Sequence, residues 1–286
     1  MSLLRVLRRK ASRTALRVPV VGYRHRGLKP TDAFVASYPR SGSTWLRFLL
    51  LELLTRDDAA GFDSVNQMIP DVGGQQSCPP LLAGGGRLIK THEAYRSEYR
   101  KAVYLVRDTR DVVISEFEYE SANERISEDF EAFVMLFLRG RVNGYGSWQD
   151  HVASWLDSSL AADDRLLVVK FEEMKAHTED TLSEILDFLG VSRDRMAIRE
   201  AIANNNLQRM KEKEDLAPQT SAYSRERADQ KRFIRSGSTG GWRARLTESQ
   251  AQLIERRAGA GLVRMGYTLE TGPVAAGELL SNVRQR

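Results

Sequence analysis

Four short apolar runs punctuate the chain: AFVAS (33–37), RLIK (87–90), KAVYLV (101–106) and LLVVK (166–170). Their centres show no polar alternation, the pattern of strands buried on both faces of a parallel sheet. Elsewhere the spacing turns helical. Trp45, Leu46, Phe48, Leu49, Leu50 and Leu53 give one wide apolar face directly after the first run. In GSWQDHVASWL, Trp148, Val152, Trp155 and Leu156 share a face, and DTLSEILDFLG gathers Leu182, Ile185, Leu186 and Leu189 with Gly190 as the C′ residue. Thr247, Glu248, Ser249 and Gln250 have capping-box spacing. Strands alternating with helices predict a single α/β domain with a mainly parallel central sheet flanked by helices. The segment 57–86, dense in Gly and Pro, reads as a long loop with little regular structure that shapes a substrate entrance. There is no internal repeat, and the tail from about Glu270 reads as unstructured.

Composition sharpens this picture in three places. At 286 residues the chain suffices for one such domain. The single cysteine, Cys78, leaves no internal disulfide to form and fits a reducing compartment. No apolar run approaches the roughly 18 residues of a spanning helix, and FLLLELL is short and interrupted by Glu52, so a soluble, cytoplasmic protein is expected. The net charge of +5 is unevenly spread. Met1 to Pro30 holds nine Lys/Arg and no Asp/Glu, leaving 34 basic against 38 acidic residues elsewhere. Bulk charge therefore predicts no nucleic-acid partner for the main domain. The division expected is a basic N-terminal arm (1–30), the main domain (31–268) and a C-terminal tail (269–286). The arm reads either as an amphipathic helix making peripheral contact with an acidic membrane surface or as a docked or unstructured basic tail.

The candidate chemistry begins at SYPRSGSTWLRFLL, residues 37–50, which reads as strand, loop and helix. A loop feeding a helix N-terminus presents unpaired N–H groups and the positive end of the helix dipole, a favourable seat for a phosphate-like anion. Gly42 lets the backbone come close, Ser41, Ser43 and Thr44 add hydroxyls, and Arg40 adds a forked permanent charge. The competing reading is an ordinary helix start with Ser41 or Ser43 as N-cap. Against G-x-x-x-x-G-K-[ST] the match fails: Ser37 stands for the first glycine and Ser43 for the lysine. The core is P-loop-like, but lysine on the β/γ-phosphates is missing, which argues for an anion other than a nucleoside triphosphate. KAVYLVRDTRDVVISEFEY repeats the logic, with Arg107 at a strand's carboxyl edge and Ser115 two turns into the next helix. KRFIRSGSTGGW adds Arg235 and a turn at Gly237. Three such grips with no acidic metal cage between them imply an anionic cofactor held by protein charge alone.

These segments carry a resemblance that covers about Ala33 to Leu246. YPRSGSTW resembles the Y-P-K-S-G-T-T-W loop with which cytosolic-type sulfotransferases bind a 5′-phosphosulfate. VRDTRDVVIS resembles their 3′-phosphate strand and helix, IRSGSTGGW their R-K-G-x-x-G-D-W segment, and IKTHEAY their K-x-H segment at Lys90 and His92. The resemblance implies transfer of a sulfuryl group from 3′-phosphoadenosine 5′-phosphosulfate (PAPS) to a hydroxyl or amine of a small-molecule, glycan or lipid acceptor, leaving 3′,5′-ADP, with no metal. It implies 5′ contacts at Arg40, Ser41, Gly42, Ser43, Thr44 and Trp45, the last near the adenine. It implies 3′-phosphate contacts at Arg107, Ser115, Arg235 and Gly237, and adenine contacts at Asn205, Asn206, Leu207 and Met210.

It implies His92 as general base, with Lys90 and Arg40 steadying the transferring group and the leaving oxygen. Four positions depart from the family pattern. Arg40 replaces a lysine and cannot donate a proton, Ser236 replaces a lysine, Gly241 an aspartate, and Phe171 a tyrosine that contacts adenine. Tyr95, Phe117, Tyr119, Phe133 and Tyr145 are candidates for an aromatic acceptor wall, though aromatic residues at helical spacing more often build a core. The alternatives are a P-loop kinase-like phosphotransferase and a nucleotide-binding protein whose chemistry has lapsed.

Overall fold

Strand β1 (Ala33–Ser37) carries five buried residues in a row, and its neighbours explain why. It pairs in parallel with β2 (Leu88–Thr91) on one side and β3 (Ala102–Val106) on the other, and β4 (Leu166–Lys170) joins the far side of β3. The computed structural model describes residues 17–122, 126–217, 232–235 and 237–270. Among these the helices in chain order are α1 (Arg17–Arg24), α2 (Ser43–Thr55), α3 (Phe62–Met68), α4 (Thr109–Ala122), α5 (Phe130–Leu138), α6 (Trp148–Leu156), α7 (Ser159–Ala162), α8 (Phe171–Ala176), α9 (Thr178–Leu189), α10 (Arg195–Asn204), α11 (Leu207–Asp215) and α12 (Glu248–Arg264).

Alternate strand residues feed two separate cores. Phe34, Ala36, Ile89, Tyr104 and Val106 meet Val112, Phe133, Trp148, Trp155 and Ile254 from α4, α5, α6 and α12. Ala33, Val35, Leu88, Val103 and Leu105 meet Leu46, Leu49, Leu182, Ile185 and Ile198 from α2, α9 and α10. Because both faces are covered, neither set of positions tolerates polar residues, and the sequence shows continuous apolar runs. The four predicted strands are all present in the order β2-β1-β3-β4. β4 lies at an edge, and all its residues but Val169 are only partly buried. Gly190 ends α9 in the left-handed region, and the Thr247–Gln250 capping box starts α12.

The segment 57–86 is more ordered than its composition predicts. It contains α3 and a single 3-10 turn at Ala83–Gly85. The sequence of α3, FDSVNQM, is too short for propensity to announce a helix. Tertiary contacts hold it instead: Phe62 and Val65 are buried, and the buried Arg47 of α2 donates to Val65 O at 2.9 Å, to Asn66 Oδ1 at 3.0 Å and to Ile69 O. Past α3 the backbone runs alongside β2, with Lys90 N donating to Pro70 O at 2.8 Å and Val72 N to Lys90 O at 2.9 Å.

The end of the basic arm is docked. Arg24 donates twice to Val72 O, at 2.9 and 2.6 Å, and pairs with Glu93 at 3.3 Å. His25 is buried between Val21 O at 2.6 Å and the Tyr99 hydroxyl at 2.7 Å. Residues 1–16 of the basic arm (1–30) expected to contact a membrane, Ser236 and the tail from 271 lie outside the described residues. No helix among the described residues is long and apolar enough to cross a membrane.

Candidate active site

The loop joining β1 to α2 is built around two left-handed residues, Arg40 (φ 65°) and Gly42 (φ 95°). A Cβ on Gly42 would stand 2.5 Å from the Phe171 ring, so glycine is needed there for space as well as for backbone geometry. Gly42 itself is the N-cap of α2 and no side chain caps the helix, which removes the reading of Ser41 or Ser43 as N-cap. The N–H groups of the first turn are left for another acceptor. The Ser41 hydroxyl is fully buried without a partner among the described residues, while Gly42, Ser43, Thr44 and Trp45 face a cavity of about 790 Å³.

That cavity opens at the carboxyl ends of the central strands, where ligands of open α/β sheets bind. Every site residue expected from the sequence except Ser41 lines it. The Arg40 turn and the Arg107 strand end are in contact: Arg107 Nη1 donates to Arg40 O at 3.1 Å. The Ser115 hydroxyl accepts from Arg40 Nε at 3.1 Å and from Arg235 Nη2 at 3.0 Å. Arg40 lies between the rings of Tyr119 and Phe233, 4.7 and 4.5 Å from their centroids, and Arg107 lies over Phe171 at 4.9 Å. Arg245, which the sequence reading passed over, joins this corner through Glu118, 2.8 Å away, and Glu118 also pairs with Arg235. Burial, then Arg40, Arg107 and Arg245, lower the pKa of Arg235 to about 10. Such crowding of like charge is relieved by a bound anion.

Across the cavity, Trp45 and Phe171 meet edge to face with centroids 6.3 Å apart. Trp45 Nε1 donates to Asn205 O at 2.9 Å. The Asn205 side chain is committed elsewhere, to Glu52 Oε2 at 2.7 Å and Lys213 Nζ at 2.8 Å, so it fixes the wall rather than offering a free amide. The Asn206 side chain caps α11. Leu207 and Met210 continue the apolar wall. Gly237 lines the opposite end, where its carbonyl accepts from Lys175 Nζ at 2.5 Å. Gly241 sits in a turn held by Asp111, and a Cβ there would meet Ser238 Oγ at 3.2 Å. Asp111 accepts from Gly240 N at 2.7 Å and Trp242 N at 2.9 Å, and the same Cβ would start 3.9 Å from its carboxylate.

His92 follows directly after β2. Its Nδ1 lies 2.7 Å from Ser37 O. A carbonyl only accepts, so Nδ1 carries the proton and Nε2 keeps its lone pair. Burial, then the Lys90 charge, hold the imidazole far below its ordinary pKa, so it is neutral. The buried His151, itself kept neutral by burial at about 4, braces the segment through Nε2 to His92 O at 3.2 Å and Glu93 O at 3.1 Å. Lys90 Nζ pairs with Asp71 Oδ1 at 2.8 Å. Of the candidate acceptor aromatics, Tyr119 and Tyr145 line the cavity, the latter 5.6 Å from the His92 ring centroid. Phe117 and Phe133 pack together in the core at 5.2 Å, and Tyr95 packs on Trp155 at 5.7 Å. On α4, Tyr119 lies one turn from Ser115 and shares its face, whereas Phe117 projects from the other side.

Comparison with known proteins agrees with this geometry. Residues 30–266 match the family model described as a sulfotransferase domain. Sulfotransferase 2A6 of Mus musculus is 28% identical over 246 residues, spanning 80% of this chain and 83% of the mouse protein. Cytosolic sulfotransferase 7 of Arabidopsis thaliana is 28% identical over 261 residues, spanning 80% and 79%. Among solved structures, retinol dehydratase in complex with androsterone and the inactive cofactor PAP superposes with a TM-score of 0.69 at 23% identity, covering 86% of this chain and 84% of that one. Mouse sulfotransferase SULT7A1 complexed with PAP gives 0.65 at 24% identity, covering 87% and 93%. The chain belongs to the sulfotransferase domain family and is a sulfotransferase.

Proposed function

We propose that the cavity holds PAPS with its 5′ end on the Arg40–Trp45 turn and its 3′-phosphate among Arg107, Ser115 and Arg235, and that His92 is the general base. One observation carries the reading: Arg107 Nη1 touches Arg40 O while Ser115 bridges Arg40 and Arg235, so both anion grips meet in one cavity with His92. The residues fit a doubly anionic nucleotide, because the first turn of α2 is uncapped and Gly42 lines the cavity. Trp45, Phe171, Leu207 and Met210 suit the base. Arg245 takes the part that a lysine at position 236 plays in the family, adding a fourth guanidinium to the 3′ corner.

PAPS supplies the sulfuryl group. The acceptor O–H or N–H gives its proton to His92 Nε2, the acceptor atom bonds to sulfur, and the bond from sulfur to the 5′-phosphate oxygen breaks. The negative charge grows on that leaving oxygen and on the sulfuryl oxygens, where Lys90, Arg40 and the α2 N-terminus face it. Arg40 is permanently charged and acts by electrostatics, not proton donation. The kinase-like alternative has no support here: the lysine position is Ser43, and the family match is to sulfotransferases.

The acceptor is a small molecule, as the androsterone and retinol complexes of retinol dehydratase support. The match over 30–266 supports a catalytic domain at 31–268, and the relative named a cytosolic sulfotransferase supports work in the cytoplasm. Screening hydroxyl and amine acceptors with labelled PAPS identifies the product. His92→Ala then transfers sulfuryl about 10²- to 10⁴-fold more slowly while binding 3′,5′-ADP as the parent does. Undiminished transfer would remove His92 from the role of base.

A further inference from the structure

Lys90 is buried deep in the cavity wall, and the group that meets it is a carboxylate that the reading of the sequence did not single out. Asp71 comes from the segment that follows α3. Its position is fixed by backbone, since Lys90 N donates to Pro70 O at 2.8 Å and Val72 N donates to Lys90 O at 2.9 Å, which makes Asp71 and Lys90 partners in a parallel bridge. Residues paired this way project to the same face of a sheet. Lys90 Nζ accordingly reaches Asp71 Oδ1 at 2.8 Å, with the lysine side chain 8% and the aspartate side chain 55% accessible. The ammonium is tucked into the wall and the carboxylate opens into the cavity beside His92.

A carboxylate beside a transferring anionic group is repulsive unless it performs a service there. We propose that Asp71 is a positioning residue for sulfuryl transfer: through its ion pair it fixes where the Lys90 ammonium stands and keeps it charged inside the wall. The inference rests on the reading of Lys90 as one of the charges that steady the transferring group.

The groups around Lys90 make the need for a counter-ion plain. Arg47 of α2 repels it, Tyr119 of α4 and Asp71 favour its charge, and His92 lies two residues on. Burial lowers the Lys90 pKa, Asp71 works against that, and Arg47 adds to it. For Asp71 the balance is reversed. Although the side chain is half open to the cavity, the protein around the carboxyl favours the neutral acid, but Lys90, then Arg47 and His92, outweigh this and hold it far below its ordinary value. A buried amine without its partner gives up its proton or swings toward water. Asp71 also favours protonation of His92, so one carboxylate tunes both groups.

The test is a titration of the full chain labelled with ¹³C in lysine, histidine and aspartate, followed by NMR with 3′,5′-ADP affinity measured alongside. In Asp71→Asn the Lys90 midpoint falls by about one unit or more, a tenfold change in acidity, and the His92 midpoint falls with it. Asp71→Glu restores both. Lys90→Met reciprocally raises the Asp71 midpoint, and this arm stands even if the asparagine variant fails to fold. In the acceptor reaction found by the screen, both limbs of the kcat profile of Asp71→Asn move to lower pH, because Lys90 must be charged and His92 neutral. A merely structural role moves neither limb. An unshifted Lys90 midpoint in Asp71→Asn that still binds 3′,5′-ADP overturns the proposal. Intact coupling in a parent protein that turns over no PAPS supports the pair and counts instead against the assigned chemistry.

Discussion

Four guanidinium groups, those of Arg40, Arg107, Arg235 and Arg245, share one corner of the cavity, and Glu118 pairs with two of them. On the proposed placement of the nucleotide, the Glu118 carboxylate competes with the 3′-phosphate for Arg235 and Arg245. Arg107→Ala is therefore expected to weaken 3′,5′-ADP about 10- to 100-fold, the loss of one charge-assisted hydrogen bond, and to leave 5′-AMP nearly unchanged. Arg245→Ala follows the same pattern, whereas Glu118→Gln tightens 3′,5′-ADP by removing a competitor. Isothermal titration with the two nucleotides separates these outcomes, and equal losses for both ligands in Arg107→Ala would remove the 3′ assignment. Ser115 and Arg235 were legible in the sequence because each belongs to a contiguous motif. Arg245 and Glu118 were not, since their pairing joins residues 127 positions apart and nothing in the 101–119 segment marks Glu118 for a partner.

At the level of elements, the four strands and the capped ends of α9 and α12 were readable because burial on two faces and cap geometry write themselves into consecutive residues. AFVAS is a strand over the residues expected, and Thr247 and Gln250 form the expected reciprocal box. The helix α3 and the backbone pairing of Pro70–Val72 were not readable. Their determinants are the buried Arg47 and the open edge of β2, both distant in sequence. The same contrast applies inside the site, where the Asn205 side chain is drawn to Glu52 by packing that no local pattern reveals. The β1–α2 turn is the element most exposed to a small change. Gly42→Ala places a methyl 2.5 Å from Phe171 in a left-handed backbone and is expected to destabilise the fold by about 1–3 kcal/mol, the usual range for overpacking. Urea unfolding measures it, and a midpoint equal to the parent's would show that the turn relaxes freely.

At the level of the molecule, one sheet serves two cores and offers its carboxyl edge to the ligand, so the site draws residues from both sides of the fold. Arg40 and Arg107 follow the central strands β1 and β3, Lys90 lies near the end of the edge strand β2, and Arg235 and Gly237 come from a late segment. The strands and the turns after them place these charges, the late segment adds Arg235, Gly237 and Ser238, and the 57–86 segment adds Asp71 to the cavity lining.

The docking of Arg24 ties the beginning of the chain into that design. Its guanidinium grips the carbonyl of Val72, the residue next to Asp71, and reaches Glu93, the residue next to His92. A shortened form starting at residue 30 would keep the whole family-matched stretch yet lose the Arg24 clamp on the residues beside Asp71 and His92. Such a form is expected to retain 3′,5′-ADP affinity while its turnover falls several-fold, and Arg24→Ala in the full chain should reproduce the loss. Equal turnover in all three proteins would mean that the arm's purpose lies elsewhere. What looks from its charge like an appendage is, at its inner end, bonded to the residues beside Asp71 and His92.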